Sequence, residues 1–287
     1  MNRQIQAELF KLRKRGMTWI LLYILIGILV LVYTLLFAIS RIQLPSQAPS
    51  DLLNIGNLLG LKVSIPFALS ILSSFGAVLA VILVASSIGN EYNWRTIRVA
   101  LISSESRFKF LAAKLISVAI VIFIGMVIGL AVGFLMSMIT TAIGRNTFDF
   151  SFASGSYLWD QFVQFWRTYF IILPFTLLGF LFAVVGRSAM PGIAVGIGVA
   201  FLEPLITTLM RLAGGWVAKI PDYLFTANVN AINALNQLPQ GFGSGQGFGG
   251  SAITLPGVTH AFIILGIYVV AFIIIAFYLF HHRDVTG

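Results

Sequence analysis

Six long apolar runs set the strongest limit on how this chain can fold. Each has about 20 residues or more, the length that an α-helix needs to cross the hydrocarbon core of a bilayer. Backbone polar groups must be hydrogen-bonded inside the lipid, and runs of this length achieve that as helices. The sequence therefore predicts an all-α membrane protein, with one transmembrane domain over residues 1–287. Its six spans are predicted at residues 17–39, 61–89, 110–142, 166–186, 189–210 and 257–280.

The proportion of charged residues separates this chain from soluble proteins. It is 59% hydrophobic and 9% charged, whereas a soluble domain has about 25% charged residues. Too few charges remain to cover an exterior that faces water. The net charge of +9 would suggest nucleic acid as the partner of a soluble protein, but in a membrane protein basic residues mark cytoplasmic loops and face anionic lipid. We therefore expect the lipid bilayer as a partner, and no nucleic acid.

The residue types also limit the chemistry that the chain can perform. It has no cysteine, which excludes disulfides and thiolate chemistry. His260, His281 and His282 are too scattered to predict a metal site. No G-x-x-x-x-G-K-[ST] phosphate-binding loop and no H-E-x-x-H zinc motif occurs. The one serine–histidine pair that could suggest a serine protease is Ser244 with His260, and Ser244 lies in a low-complexity loop. We therefore predict a non-catalytic protein with no catalytic residues and no cofactor of its own.

A basic amphipathic segment, residues 1–15, precedes the first run. Ile5, Leu9 and Leu12 repeat at helical spacing among basic residues, which predicts an interfacial helix with its apolar stripe in the headgroup layer. A signal peptide is the alternative, because residues 38–40 resemble a cleavage site. The first apolar run exceeds the roughly 7–15 residues of a signal peptide core, so we expect it to be a retained span.

The distribution of basic residues predicts the orientation in the membrane. Six spans place both termini on one side, and that side carries 12 of the 18 lysine and arginine residues. The positive-inside rule assigns the richer side to the cytoplasm. We therefore expect a multi-pass protein of the plasma membrane with both termini cytoplasmic. The connection 211–256 becomes a long external loop.

Two rows of small residues predict close helix packing. Gly125, Gly129 and Gly133 lie four residues apart in the third run, and Gly192 and Gly196 do so in the fifth run. Small residues at this spacing let helix backbones approach each other in lipid. We interpret them as packing surfaces, with a contact between two copies as an alternative for one of the rows.

The longest charged interruption, residues 90–114, separates the second and third runs. It also carries Trp94, Ile97 and Leu101, which recur at i, i+3 and i+7 and would share one face of a helix. A solvated loop gains nothing from such residues, although that reading remains the alternative. They suit a short helix on the membrane surface that docks into a groove of a partner. We therefore predict that residues 90–109 form such a docking segment.

The same stretch resembles the first cytoplasmic loop of the type-2 ABC exporter permeases. That pattern has a glutamate, then Gly-Thr, a short apolar helix, a proline, Ser-Arg and a later lysine. Glu91, Thr96, Ser106, Arg107 and Lys114 fall on it with matching spacing. Two positions depart from it, because Arg95 replaces the glycine and Ser104 replaces the proline.

The resemblance implies a permease subunit of an ABC exporter, with residues 90–109 as its coupling segment. Its partners would be separate ABC ATPase chains, which bind ATP and magnesium, and a second permease chain, identical or paralogous. The absence of a large external domain favours a small amphipathic substrate such as a drug or peptide antibiotic. The resemblance and the helical pattern together assign ATPase coupling to Glu91, Trp94, Thr96, Ile97, Arg98, Leu101, Arg107 and Lys114.

Glu203 is the one acidic residue well inside a predicted span. A carboxyl group at that depth costs about 2.5–3.5 kcal/mol on insertion scales, so it should face protein or water. It is a candidate for a substrate route or a gate. The alternative is a structural residue near the outer end of its span that bonds neighbouring helices. Two other functions remain open, an ion-coupled secondary transporter, which would depend on Glu203, and a non-transporting membrane scaffold.

Overall fold

The computed structural model describes residues 1–42, 58–93, 106–144, 148–236 and 255–282. Within these ranges the regular elements are all helices, which confirms the predicted all-α class. Six of them are long and apolar enough to cross a membrane: α2 (Gly16–Arg41), α3 (Leu61–Tyr92), α4 (Arg107–Ile143), α5 (Gly155–Val185), α6 (Ala189–Ala213) and α8 (Val258–His282). Two shorter α-helices also occur in the described ranges, α1 (Asn2–Lys14) and α7 (Phe225–Asn233).

Five of the spans begin within a few residues of their predicted positions, and α5 is the exception. It begins at Gly155 rather than at Trp166, so the eleven residues before the predicted span are the first part of a helix. Ser154 caps that helix, because its Oγ accepts a hydrogen bond of 3.3 Å from the backbone N–H of Tyr157. The ring of Phe162 then stacks with that of Trp159 and meets that of Trp166 edge to face.

The helices α3 and α5 form the centre of the bundle. The apolar windows of these two spans are 61% and 72% buried, compared with 28% or less for the other four. The two helices pack against each other and against α6, and α5 also packs against α8. On the other side, α4 packs against α1, α2 and α3. The faces of α2, α6 and α8 that turn away from this centre carry large exposed apolar side chains.

The glycine rows serve as packing surfaces inside the chain. A Cβ at Gly129 would lie 2.7 Å from the Leu72 side chain, and one at Gly133 would lie 2.5 Å from Ala68, so α4 approaches α3 closely. Gly192 and Gly196 bring α6 equally close to α3 and α5. Gly125 differs from them, because a Cβ there would meet nothing within 4 Å.

One turn in the middle of α3 is π-helical. The span consists of a 3₁₀ turn, an α-helix from Ser64 to Ile71, the π turn Leu72–Gly76, and a second α-helix, Ala77–Asn93, which extends one residue beyond the span. The hydroxyls of Ser73 and Ser74 both donate to the carbonyl oxygen of Ser70, at 2.9 and 3.3 Å. Hydroxyl bonds of this kind satisfy a backbone carbonyl next to an irregular turn.

The first part of the predicted external loop folds back along the bundle. A 3₁₀ helix, Val217–Tyr223, leads into α7, and the ring of Phe225 stacks on Tyr268 of α8 at a centroid distance of 4.4 Å. Tyr268 is ten residues from the start of α8, which corresponds to about 15 Å along a helix. The segment therefore re-enters the helical bundle. The rest of that loop, residues 237–254, lies outside the described residues.

Candidate functional site

Three elements meet at one end of the bundle, where α1 crosses the last turn of α3 and the first turns of α4. We call this end the N-terminal face. Lys114 of α4 lies at its centre, with its side chain only 1% exposed. Its ammonium group donates to Glu8 of α1 at 2.8 Å, to Glu91 of α3 at 2.9 Å and to the carbonyl oxygen of Ser87 at 3.3 Å. An ammonium group has three N–H donors, and each of them has an acceptor here.

Two further basic residues lie around the paired carboxylates. Lys11 contacts Glu8 Oε1 at 2.5 Å, and Arg15 lies 3.8 Å from Glu91 Oε1. Arg15 also donates to the Ser87 carbonyl at 3.2 Å. We call Glu8, Lys11, Arg15, Glu91 and Lys114 the ion cluster. A buried charge is costly unless it is paired and hydrogen-bonded, and the cluster meets that condition by combining residues of three helices.

The ionisation of Glu8 follows from its neighbours. Burial raises the pKa of its carboxyl group, but the charges of Lys114 and Lys11 and their hydrogen bonds more than offset that effect, and the pKa lies below its ordinary value. Glu8 therefore stays negatively charged at neutral pH and in mild acid. A carboxylate held in this form keeps α1 electrostatically attached to α4.

The first turn of α4 is fixed by contacts of its own. Ser106 is its N-cap, with Oγ accepting a hydrogen bond of 3.1 Å from the backbone N–H of Lys109. Arg107 donates to the carbonyl oxygen of His281 at 3.1 Å, and the ring of Phe110 stacks on Phe280. The beginning of α4 is thereby held against the end of α8.

The structure brings together some of the residues predicted for ATPase coupling. Glu91 and Lys114 are in direct contact, whereas Arg107 makes its contact with α8 elsewhere on the same face. The other predicted coupling residues lie outside the described residues: Trp94, Thr96, Ile97, Arg98 and Leu101.

Sequence reasoning missed the contribution of α1 to the site. Glu8 is the only acidic residue among the first fifteen, and it lies three residues after Ile5 and four before Leu12. That spacing places it on the apolar stripe of the helix, where Glu8 and Leu12 are the two buried residues of α1. A lone carboxylate on an apolar stripe was the available signal that α1 meets a buried cation.

Glu203 lies in a different part of the molecule, near the re-entrant segment. Its Oε1 accepts a hydrogen bond of 2.6 Å from the backbone N–H of Thr226, in the first turn of α7. A carboxylate is well suited to this place, because the first N–H groups of a helix lack partners and carry partial positive charge. A role on a substrate route stays a prediction.

The charged residues elsewhere do not gather into a metal site. Among the described residues, no group of three or more His, Asp or Glu side chains is arranged to hold a metal ion. The ion cluster itself contains two carboxylates, and its basic side chains already occupy the space between them. Its arrangement therefore serves to connect helices through charge.

Comparison with known proteins identifies one family. No curated protein matches the chain. The model of a family described as a protein of unknown function, DUF2705, matches residues 54–286. The match covers most of the chain, from the residues before α3 to the end of α8. The chain therefore belongs to the DUF2705 family.

Proposed function

We propose that this chain is the membrane-spanning permease subunit of an ATP-driven ABC exporter. In this proposal it lies in the plasma membrane with both termini in the cytoplasm. It works with separate ABC ATPase chains and with a second permease chain, identical or paralogous. The six spans, the charge distribution and the pattern of residues 90–114 all support it.

The ion cluster is the observation that carries the proposal. A segment that passes motion from an ATPase to transmembrane helices must be attached firmly at its ends. Glu91 lies at the start of the predicted coupling segment and Lys114 follows its end, and the two side chains are joined at 2.9 Å in a buried site. Glu8 adds α1 to the same junction. A displacement of the segment would therefore act on α1, α3 and α4 together.

The proposed mechanism is mechanical transmission. ATP binding closes the pair of ATPase chains, and the closure moves the docked segment 90–109. Because Glu91 and Lys114 share one buried contact, that movement tilts the ends of α3 and α4 as a unit. The spans then exchange access to the two sides of the membrane. This chain makes and breaks no covalent bond, and ATP with magnesium stays on the ATPase.

The test combines co-purification with an ABC ATPase encoded next to this chain and a double substitution, Trp94→Ala with Leu101→Ala. A well-packed aromatic anchor contributes about 2 kcal/mol or more to an interface, and about 1.4 kcal/mol is a tenfold change in affinity. ATPase binding should therefore weaken by an order of magnitude or more. Membrane insertion should be unchanged, since the substituted residues lie outside the spans.

The chain offers a matched control for this experiment. Trp216 and Leu212 are the same residue types and are 76% and 77% exposed, and they lie at the opposite end of the bundle. Their double replacement by alanine should leave ATPase binding unchanged. If the Trp94 and Leu101 variant binds the ATPase and exports as the wild type does, the segment is an ordinary loop and the proposal fails.

The substrate class is part of the same proposal. We infer a small amphipathic compound, such as a drug or a peptide antibiotic. A screen for compounds that stimulate ATP hydrolysis by the purified complex tests this inference. Stimulation should depend on the coupling segment, so the Trp94 and Leu101 variant should not respond to a compound that stimulates the wild type.

A further inference from the structure

A cavity of about 420 Å³ lies between α1, α2, α3 and α4 near the N-terminal face. Its volume falls within the range of about 300–1,000 Å³ that small-molecule sites occupy. Leucine, isoleucine and other apolar side chains form most of its wall. Leu9 of α1 lies on this wall at one end, and Ile128 of α4 lies on it further along the bundle.

The polar groups of the cavity are confined to the end near the α1–α2 junction. Apart from the indole of Trp19, Arg13 and Thr18 are the only polar side chains among the described residues that line it. The indole N–H of Trp19 donates to the carbonyl oxygen of Arg13 at 2.8 Å, which holds the ring at this end. Arg13 is exposed and makes no ion pair within the described part of the chain. The cavity is therefore amphipathic along its length.

Two backbone features keep the cavity open. Both ends of the π turn of α3, Leu72 and Gly76, line it, so the irregular turn shapes one wall. Gly125 lines the facing wall on α4, and a Cβ there would meet nothing within 4 Å. Gly129, one turn further along, is instead packed tightly against Leu72. The absence of a side chain at Gly125 therefore leaves space rather than allowing a helix contact.

We propose that this cavity binds one acyl chain of an anionic phospholipid, with the headgroup phosphate paired to Arg13. Residues 120–128 of α4 line the cavity over about 12 Å at 1.5 Å per residue. One leaflet of hydrocarbon is about 15 Å deep, half of the ~30 Å core. An acyl chain that enters at the headgroup level and runs along the helices fits this depth.

The positive charge at the polar end of the cavity determines which lipid headgroup is bound. Arginine recognises phosphate through two parallel hydrogen bonds, and an aromatic ring such as Trp19 is favoured at the headgroup level. The exposed Lys14 follows Arg13, and the nearby ion cluster contains three basic residues and two carboxylates, so the surrounding potential is positive. An anionic headgroup is therefore preferred over a zwitterionic one, whose own cation would face these basic residues.

The bound lipid acts as a structural component. Its acyl chain touches α1, α2, α3 and α4 at once, and its headgroup holds Arg13, which lies two residues from Lys11 and from Arg15 of the ion cluster. It therefore stabilises the docking of α1 on the bundle. This inference does not depend on the proposed transport function.

Native mass spectrometry of the purified full chain tests the proposal. The chain in detergent is titrated with phosphatidylglycerol and, separately, with phosphatidylcholine of the same acyl chains. One phosphatidylglycerol should bind per chain, at least tenfold more tightly than phosphatidylcholine. Gly125→Leu fills the open space and should weaken phosphatidylglycerol binding at least tenfold. Gly266→Leu is the matched control, because Gly266 of α8 also has nothing within 4 Å of a Cβ and lies outside the cavity.

The headgroup contact is tested by Arg13→Gln, a change at an exposed position. It should reduce phosphatidylglycerol binding to the level of phosphatidylcholine. Arg3→Gln removes the same charge from an exposed position of the same helix and should leave the preference intact. Equal binding of the two lipids by the wild type, or unaltered binding by Gly125→Leu, would overturn the proposal. So would loss of a dimer in Gly125→Leu, because a second copy would then be the occupant.

Discussion

Lys114 illustrates how a single buried charge can connect distant parts of a sequence. Its partners Glu8 and Glu91 are far from it in the chain, yet both lie within 2.9 Å of its ammonium nitrogen. Each carboxylate also contacts a second cation, so the loss of one member affects the others. Stability at this face therefore depends on the cluster as a whole.

Lys114→Met removes the central cation and keeps most of the side-chain volume. The two carboxylates would then face each other in a buried site, and breaking a buried ion pair in this way costs about 3–5 kcal/mol. We expect a clear decrease in the free energy of unfolding, measured in detergent with a chemical denaturant. Adding Glu8→Gln and Glu91→Gln to Lys114→Met should recover much of the loss. An unchanged stability of Lys114→Met would mean that the charges are not buried together.

The sequence predicted part of this site. Glu91 and Lys114 were assigned because the local pattern resembles a known loop, and a local pattern can be recognised from the sequence alone. Glu8 was missed because its partner is Lys114, more than one hundred residues later. Its position on the apolar stripe of α1 indicated that Glu8 is buried, but it did not identify the cation that neutralises the buried charge.

At the scale of the elements, α3 and α6 approach each other most closely at Gly89. A Cβ at this position would lie 2.1 Å from the backbone nitrogen of Ala189. Gly186 to Ser188 form the tight connection just before that residue, and Arg187 adopts a positive φ of 52° there. The backbone at the start of α6 thus packs directly against the backbone of α3 at Gly89.

Gly89→Ala should therefore be destabilising. The added methyl group meets backbone atoms that cannot rotate away, and overpacking costs typically about 1–3 kcal/mol. Gly27→Ala in α2 is the control, because nothing lies within 4 Å of a Cβ there. In that helix alanine should gain up to about 1 kcal/mol over glycine. Denaturant unfolding of both variants should give shifts of opposite sign, and equal shifts would contradict the close contact.

A second prediction at this scale concerns the cap of α7. Glu203→Leu removes the acceptor for the Thr226 N–H, and losing a helix cap costs about 0.5–2 kcal/mol. Glu203→Gln keeps an oxygen acceptor and should be nearly neutral for the yield of folded protein. Yield and thermal unfolding measure both effects. If Glu203→Gln alters transport at normal yield, Glu203 instead belongs to a substrate route.

The elements differ in how far their sequence predicts them. Apolar length alone located all six spans, because bilayer crossing depends on length and composition. Only the start of α5 was misplaced, because Asp160 and the polar residues beside it interrupt the apolar run in the first turns of this helix. The re-entrant course of α7 could not be predicted either. It depends on stacking between Phe225 and α8 and on a cap from α6, which are contacts between separate segments.

For the whole molecule, the arrangement of the spans places α1 and the end of α8 on the same face. The end of α4, the start of α5 and the start of α8 then lie on the other face. The charge distribution predicts that the first of these faces is cytoplasmic.

The native chain has no cysteine, so single cysteines report on this orientation without background. Gln6→Cys and His282→Cys should be protected from an impermeant thiol reagent in intact cells. Asp149→Cys and Gly257→Cys should be labelled, because these positions are exposed at the opposite face. All four should react after the membrane is permeabilised. Labelling of Gln6→Cys in intact cells would reverse the orientation and place the ion cluster out of reach of a cytoplasmic ATPase.

The π turn in α3 allows this helix to contain one extra residue without losing its contacts. A turn closed by i→i+5 hydrogen bonds holds one residue more than an α-helical turn, so Leu72–Gly76 absorbs what amounts to a one-residue insertion. The helix faces before and after it keep their directions, and Phe67 still meets Tyr33 while Glu91 meets Lys114. Removing exposed Ser74 would leave a regular helix with both contacts in place. Removing Val84 instead would rotate Glu91 by about 100° away from its partner. Relatives one residue shorter in α3 are therefore expected to carry their deletion within the π turn.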